Sequence, residues 1–198
     1  ITPAVKGKGE WVSSSVYIFE PEESLKSSTR YEVRVEAGLE DVSGNPMDES
    51  YVTTFTTLSP IIDSAYSQNG IGLEYEGGAS QILLDESLTV RFNVNTPMNH
   101  ESVEAATTIV NKETDAKVPL TFKWNDDGNV LTISPVGMYD IQSFYRLSID
   151  KSAQAQDGGQ LGSTWTINFA TVPYPSVIGI SPHPDDRDRK YSPSLTIR

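Results

Sequence analysis

The sequence has no cysteine and only two histidines among its 198 residues. Without cysteine the chain has no disulfide, no thiolate nucleophile and no cysteine-ligated metal site. The histidines, His100 and His183, are widely separated, and neither lies in an HExxH-like or triad-like context. A hydrolytic or metal centre needs several such groups in defined geometry. We therefore predict no enzyme, no catalytic residues and no obligatory cofactor.

Positive charge and long apolar runs are also scarce. The chain has 15 Lys and Arg residues against 27 Asp and Glu, a net charge of −12. Nucleic-acid binding requires clustered basic side chains, so nucleic acid is excluded as a partner. No apolar run approaches the roughly 18–20 residues that a membrane span needs, so no membrane span is expected in this segment. With 37% hydrophobic and 21% charged residues, the composition is that of a globular protein.

What the sequence does contain is an internal repeat. The stretch Val130–Thr171 has its landmarks repeated 114 positions earlier without a gap, for example Val16 for Val130, Tyr31 for Tyr145 and Phe55 for Phe169. The segment Ser87–Arg91 recurs as Ser194–Arg198, 107 positions later. Self-similarity at a fixed period is the signature of a modular array.

The offset predicts three segments with boundaries near 57 and 172. Residues 1–57 are the C-terminal half of one module, 58–172 a complete module, and 173–198 the N-terminal strands of a third. Both ends of the sequence thus fall inside modules. The linker Val172–Pro175 is short and holds two prolines, which favours a preferred orientation between neighbours.

Each module is predicted to be an antiparallel β-sandwich. Leu88, Val90 and Phe92 alternate with polar residues, which is the pattern of a strand buried on one face. Asn125–Asn129 carries a strong hairpin signal, after which the chain returns antiparallel. The one exception is a short helical turn capped by Asn99. Short strands separated by turn signals, without long helical periodicity, indicate an all-β sandwich.

Several motifs resemble those of a known family. Leu88–Phe92, Thr96–Met98 and Ser102–Val103 are similar to the first half of the bacterial Ig-like domain of S-layer and other large surface proteins. The second half is matched by Val16–Pro21, Thr29–Val33, Ser43–Met47 and Thr54–Thr57. The complete copy departs from the pattern at Asp157–Gln160, where Gly-Asn-Pro is lost. The resemblance therefore spans nearly the whole chain and implies tandem Ig-like sandwiches.

The resemblance implies a non-catalytic, extracytoplasmic building block. The expected function is that of a spacer, display or adhesion module in a large secreted or cell-surface bacterial protein. Such domains also occur near the N-termini of bacterial proteins similar to α2-macroglobulin, which trap proteases, and this is the first alternative. An accessory module of a polysaccharide-degrading enzyme is the second.

Acidic loops are the candidates for metal binding. Asp126 and Asp127, and separately Asp185 and Asp186, offer the hard oxygen ligands that Ca²⁺ prefers. The first pair also belongs to a turn that needs Asp and Gly for its own geometry. The second is interleaved with Arg187 and Arg189, which partly neutralise it. Solvated turns are the favoured interpretation, with Ca²⁺ as the alternative.

Three residues are candidate interaction sites. Trp11 corresponds to Asn125 in the complete copy, so it inherits no core position. Val16 and Ile18 are predicted to face outward from a strand whose Tyr17 and Phe19 point inward. Adjacent apolar residues on an outer face suggest a covered surface. Trp124 and Trp165, in contrast, are in phase with core positions.

Incomplete sandwiches have a further consequence for partners. Half of a sandwich leaves unpaired strand edges and an uncovered core face. We expect residues 1–57 to be stabilised by packing on the complete module or by strand pairing with another copy of the chain. The expected partners are neighbouring Ig-like modules of the same parent protein and, by strand pairing, a second copy.

Overall fold

A computed structural model describes residues 1–41, 43–73, 80–94, 97–181 and 194–197, with side chains as far as residue 177. It is almost entirely β-structure. The strands are β1 (Gly7–Ser13), β2 (Val16–Pro21), β3 (Arg30–Val35), β4 (Tyr51–Thr56), β5 (Ile61–Ser67), β6 (Ser80–Ile82), β7 (Leu88–Asn93), β8 (Thr107–Asn111), β9 (Leu120–Trp124), β10 (Val130–Pro135), β11 (Phe144–Ile149), β12 (Trp165–Thr171), β13 (Val177–Ser181) and β14 (Ser194–Ile197). The helix α1 (His100–Ala106) lies between β7 and β8.

The complete module folds as two four-stranded sheets. One has the order β5-β7-β10-β9 and the other β6-β12-β11-β8. All neighbours are antiparallel except β6 and β12. This confirms the predicted β-sandwich.

The core of this module comes from strand residues that alternate inward. In β7 the inward residues Leu88, Val90 and Phe92 are at most 2% exposed, as their pattern predicts. The other sheet contributes Leu147 from β11 and Phe169 from β12, both with no exposed surface. Apolar faces of two sheets are thereby removed from water together, which is the main stabilising term in such a fold.

The helical segment predicted after Asn99 is present, and α1 spans seven residues, about two turns. Asn99 caps α1, since its side-chain oxygen accepts a hydrogen bond from the Ser102 backbone N–H at 3.0 Å. Val103 points into the core with no exposed surface. The cap satisfies a backbone donor that the helix cannot satisfy itself.

Residues 1–57 form two separate hairpins, β1–β2 and β3–β4. One prediction for this region is wrong: Tyr17, expected to point inward, is 54% exposed. Its counterpart Leu131 is fully buried because β10 belongs to a four-stranded sheet whose inner face packs against a second sheet. Among the described residues β2 pairs only with β1, in a two-stranded hairpin. The rings of Tyr17 and Phe19 instead lie over Gly9 and Gly7, where any β-carbon would clash with them.

Both copies share one corner that connects two sheets. In the complete module the Tyr145 hydroxyl accepts a hydrogen bond from the Asp140 backbone N–H at 2.7 Å, and Tyr31 does the same for Lys26 at 3.1 Å. Corners of this kind recur in β-sandwiches. Thr171 closes the corner by donating from its hydroxyl to the Asp140 carbonyl at 2.6 Å. Thr57, its counterpart in the first copy, donates to the Lys26 carbonyl at the same distance. The repeat seen in the sequence is therefore also a repeat of hydrogen bonds.

The C-terminal strands pair within the chain. β13 and β14 form an antiparallel two-stranded sheet in which Ile180 lies opposite Leu195. The recurring Ser194–Ile197 segment thus has an intramolecular partner, as its counterpart β7 has in β5.

Candidate interaction surface

The β1–β2 hairpin carries all three candidate interaction residues. Trp11 is 57% exposed and lies directly opposite Tyr17, with the two ring centroids 5.3 Å apart in an edge-to-face arrangement. Cross-strand aromatic pairs of this kind contribute to the stability of a hairpin. Trp11 is therefore an exposed aromatic held in a fixed position.

Val16 and Ile18 lie on the opposite face of the same hairpin. They are 47% and 42% exposed, and Ile18 lies opposite Glu10. Side chains alternate between the two faces of a strand, so Val16 and Ile18 cannot share a surface with Trp11 and Tyr17. The structure gives the hairpin two exposed apolar faces rather than one composite site.

One of the two pairs of acidic candidates lies within the described residues. Asp126 and Asp127 are exposed in the turn between β9 and β10. That turn is stabilised by the Asn125 side chain, which accepts backbone hydrogen bonds from Asn129 at 3.0 Å and Val130 at 2.9 Å. Asp185 and Asp186 lie outside the described residues. Within the described ranges, no group of three or more His, Asp or Glu side chains is placed to hold a metal ion.

His100 lies on the helix that Asn99 caps. It is the first residue of α1, and its ring stacks on Trp124 with centroids 4.3 Å apart and planes nearly parallel. The Trp124 indole N–H donates to the Glu104 carboxylate at 2.9 Å. These contacts hold α1 against the β9–β10 hairpin and account for the half-buried indole. His183 lies outside the described residues.

Glu86 is a buried carboxylate with a structural role. It is 3% exposed and accepts backbone hydrogen bonds from Asn69 at 2.8 Å and Leu83 at 2.9 Å. Burial raises the pKa of the Glu86 carboxyl, but these hydrogen bonds and one from the Ser67 side chain outweigh it, so the pKa lies below its ordinary value. The carboxylate ties two loops together through the backbone N–H groups of Asn69 and Leu83.

This arrangement predicts a pH-dependent contribution to stability. Because the pKa of Glu86 is lowered on folding, its contribution to stability is fully present above about pH 4.3, the pKa of Glu in an unfolded chain, and is lost as pH falls through the lower pKa of the folded state. We expect Glu86→Gln to lower the free energy of unfolding by about 1–3 kcal/mol at pH 7. The difference from the parent chain should shrink at pH 3, as measured by urea denaturation. The exposed Glu49→Gln is the control and should change little at either pH; a loss in Glu86→Gln that is the same at both pH values contradicts the assignment.

The first copy and the complete module meet at a loop. Asp157 accepts hydrogen bonds from Ser27, at 2.8 Å from the backbone N–H and at 2.5 Å from the hydroxyl. The Ser28 hydroxyl donates to the Gln160 carbonyl at 2.6 Å. Ser27 is buried by this contact. Sequence reasoning did not predict it, although the departure of Asp157–Gln160 from the repeat marked the place.

A cavity of about 460 Å³ lies on the outer face of the β5-β7-β10-β9 sheet. A cross-strand row of Tyr66, Thr89, Thr132 and Lys123 lines it, and Trp124 and Val130 line it as well. No described helix is long and apolar enough to cross a membrane.

Comparison with known proteins identifies the class of this β-sandwich protein. The family model for the bacterial Ig-like domain matches residues 1–57 and 75–171. The chain belongs to the bacterial Ig-like domain family. Among curated proteins none matches.

Two solved structures are similar at low identity. One is the N-terminal part of the bacterial S-layer protein SbsC, with 18% identity, a TM-score of 0.41 and 62% of this chain covered. The other is native α2-macroglobulin from Escherichia coli spanning domains MG0-NIE-MG1, with 14% identity, a TM-score of 0.41 and 60% of this chain covered. The matches span 26% and 34% of those chains, respectively.

Proposed function

We propose that this chain is a non-catalytic Ig-like repeat segment of a large secreted or cell-surface bacterial protein, where it acts as a spacer, display or adhesion module. One observation supports this most directly: the corner hydrogen bonds of Tyr31 and Tyr145 recur in two copies that are joined through Asp157. A repeated structural unit fixes the distance and the orientation between the parts of the parent protein that it connects. Rigid sandwiches set the spacing, and short joints set the angle.

An extracytoplasmic location follows from this proposal and is tested on cells. Antibodies against the purified chain should label intact cells of the source bacterium without permeabilisation. An antibody against a cytoplasmic protein, applied to the same cells, is the control and should give no signal. Labelling of the chain that appears only after permeabilisation contradicts the proposal.

The alternative functions have different observable features. A role in a protease-trapping protein similar to α2-macroglobulin requires a thioester motif and a bait region elsewhere in the parent gene. Repeats that run into an anchor or S-layer attachment segment favour the spacer instead. An accessory role in polysaccharide degradation requires glycan binding, which a glycan array tests, with Trp11→Ala as the variant that removes an exposed aromatic. Failure of every glycan to bind removes that alternative.

Strand pairing with a second copy remains part of the proposal for partners. The face of β1–β2 that bears Val16 and Ile18 is exposed, and β2 has one described strand neighbour. Light scattering after gel filtration over a range of concentrations would detect a dimer or a longer assembly. Ile18→Lys should abolish such an assembly, whereas Thr132→Lys, at the equivalent position of the complete module, should not. A monomer at all concentrations contradicts self-pairing.

Calcium binding is tested separately. Titration calorimetry with Ca²⁺ that shows no heat, together with an unchanged melting temperature, would leave Asp126 and Asp127 as turn residues. Heat that disappears in Asp127→Asn would support a site.

A further inference from the structure

The loop Asp157–Gln160 has the same backbone hydrogen bonds as its counterpart Ser43–Pro46 in the first copy. Gly158 donates to the Ala155 carbonyl at 2.9 Å, and Gly44 donates to the Asp41 carbonyl at 3.0 Å. Both glycines have positive φ angles, 88° and 83°. The loss of Gly-Asn-Pro in the complete copy therefore leaves the loop conformation unchanged. The replaced side chains need another explanation.

Two of the replacements are explained by contact with Ser27. Where the first copy has Ser43, the complete copy has Asp157, whose Oδ2 accepts both hydrogen bonds from Ser27. Its other oxygen accepts from the Gly159 N–H at 2.8 Å and fixes the carboxylate within the loop. A hydrogen bond to a charged acceptor is roughly twice as strong as one between neutral groups.

Gly159 provides an independent, steric observation. It takes the place of Asn45, whose side chain is exposed and hydrogen bonded to Asp41. A β-carbon at position 159 would lie 2.5 Å from the Ser27 β-carbon and 2.8 Å from its carbonyl carbon and oxygen. Backbone atoms cannot move aside cheaply, so asparagine is incompatible with this close approach. Glycine is required by the neighbouring module rather than by the loop itself.

The surface that receives the loop is itself held in place. Ser27 and Ser28 belong to the corner that Tyr31 and Thr57 close, and the Ser28 N–H donates to the Leu58 carbonyl at 3.1 Å. The contact thus joins two parts whose backbones are each fixed by their own hydrogen bonds. A contact between two fixed parts restricts the angle between them more than a linker alone does.

We propose that the loop Asp157–Gln160 is a docking surface for the corner of the preceding module, and that Ser27, Asp157 and Gly159 form a joint that sets the orientation of neighbouring modules. The joint is specific to its corner. The equivalent corner of the complete module has Ile141 where the first copy has Ser27. Isoleucine has no hydroxyl that could donate to such a carboxylate. Neighbouring modules are consequently not interchangeable. This inference rests on the proposed spacer function for its biological use and on the contacts above for its existence.

Distance measurements between spin labels on the full chain test the joint. The chain has no cysteine, so labels attach only at introduced positions. We expect labels at Glu32→Cys and Lys123→Cys, both exposed positions in different modules, to give one narrow distance distribution. Gly159→Asn and Ser27→Ala should each broaden it at least twofold. Asn45→Gly, at the equivalent position of the first copy's loop, should leave it unchanged.

A second label pair keeps the test independent of folding. Labels at Lys123→Cys and Arg146→Cys lie within the complete module, and their distribution should stay narrow in every variant. If Gly159→Asn disturbs this internal distance, Ser27→Ala, which removes a single hydroxyl, decides the outcome. A broad inter-module distribution in the parent chain, or one that neither variant changes, overturns the joint. Either result leaves the cell-labelling test of the spacer proposal unaffected.

Discussion

Replacing Phe169 with alanine is expected to lower the free energy of unfolding of the complete module by about 3–5 kcal/mol. The side chain has no exposed surface, and its ring stacks on Tyr145 with centroids 5.3 Å apart. It also meets Tyr139 edge to face at 5.3 Å. Truncation leaves a cavity between two sheets that other side chains hold in place, so collapse cannot recover the lost contacts. Urea denaturation followed by intrinsic fluorescence measures the change.

The repeat provides a matched control for this substitution. Phe55, the counterpart of Phe169, makes the same stack on Tyr31 at 5.4 Å but is 43% exposed. Because roughly half of its surface is already in water, Phe55→Ala should cost about 1 kcal/mol. Equal losses from the two substitutions would contradict the difference in burial between the copies.

Removal of the Tyr145 hydroxyl is expected to produce the second large effect. Tyr145→Phe leaves the Asp140 backbone N–H, now bonded at 2.7 Å, without its acceptor at the corner. An unsatisfied, partly buried donor costs about 1–3 kcal/mol. The same denaturation experiment measures this loss.

Tyr139 is the control for that prediction. Its ring is as deeply buried as that of Tyr145, and its hydroxyl is the one buried side-chain polar atom without a hydrogen-bond partner among the described residues. Burial, followed by the negative charge of a deprotonated Tyr145, raises the pKa of the Tyr139 hydroxyl, which therefore stays protonated. Tyr139→Phe should leave stability unchanged or slightly raised. A loss as large as that of Tyr145→Phe would show that the corner hydrogen bond is not the cause.

The fold could be predicted because its determinants are local. The period-2 pattern of Leu88, Val90 and Phe92 indicates a strand that is buried on one face. Asn99 indicates the start of a helix because its side chain can accept a hydrogen bond from the first turn. The offset between copies also aligned Tyr31 with Tyr145, which the shared corner confirms. The first two signals lie within a few residues of the structure that they specify, and the third comes from comparing the two copies.

The parts that could not be predicted depend on residues distant in sequence. Tyr17 has an inward phase, but burial requires a sheet packed against that face, and Tyr17 remains 54% exposed. The stack of His100 on Trp124 depends on where α1 packs against a hairpin. The contact between Ser27 and Asp157 joins positions 130 residues apart. The departure of Asp157–Gln160 from the repeat marked the place, but the partner of that loop lies too far away in sequence to be read from it.

Residues 58–172 are proposed to be a self-contained sandwich to which the hairpins of residues 1–57 are attached. Hydrogen exchange of the native chain, measured strand by strand, tests this directly. We expect β7, β10, β11 and β12 to exchange together at the slowest rate, since they form the centre of both sheets. The hairpin β1–β2 should exchange much faster, and β3–β4 at an intermediate rate because the corner and the Asp157 joint hold it. Equal protection of β1–β2 and β10, with all strands exchanging as one unit, would contradict the account.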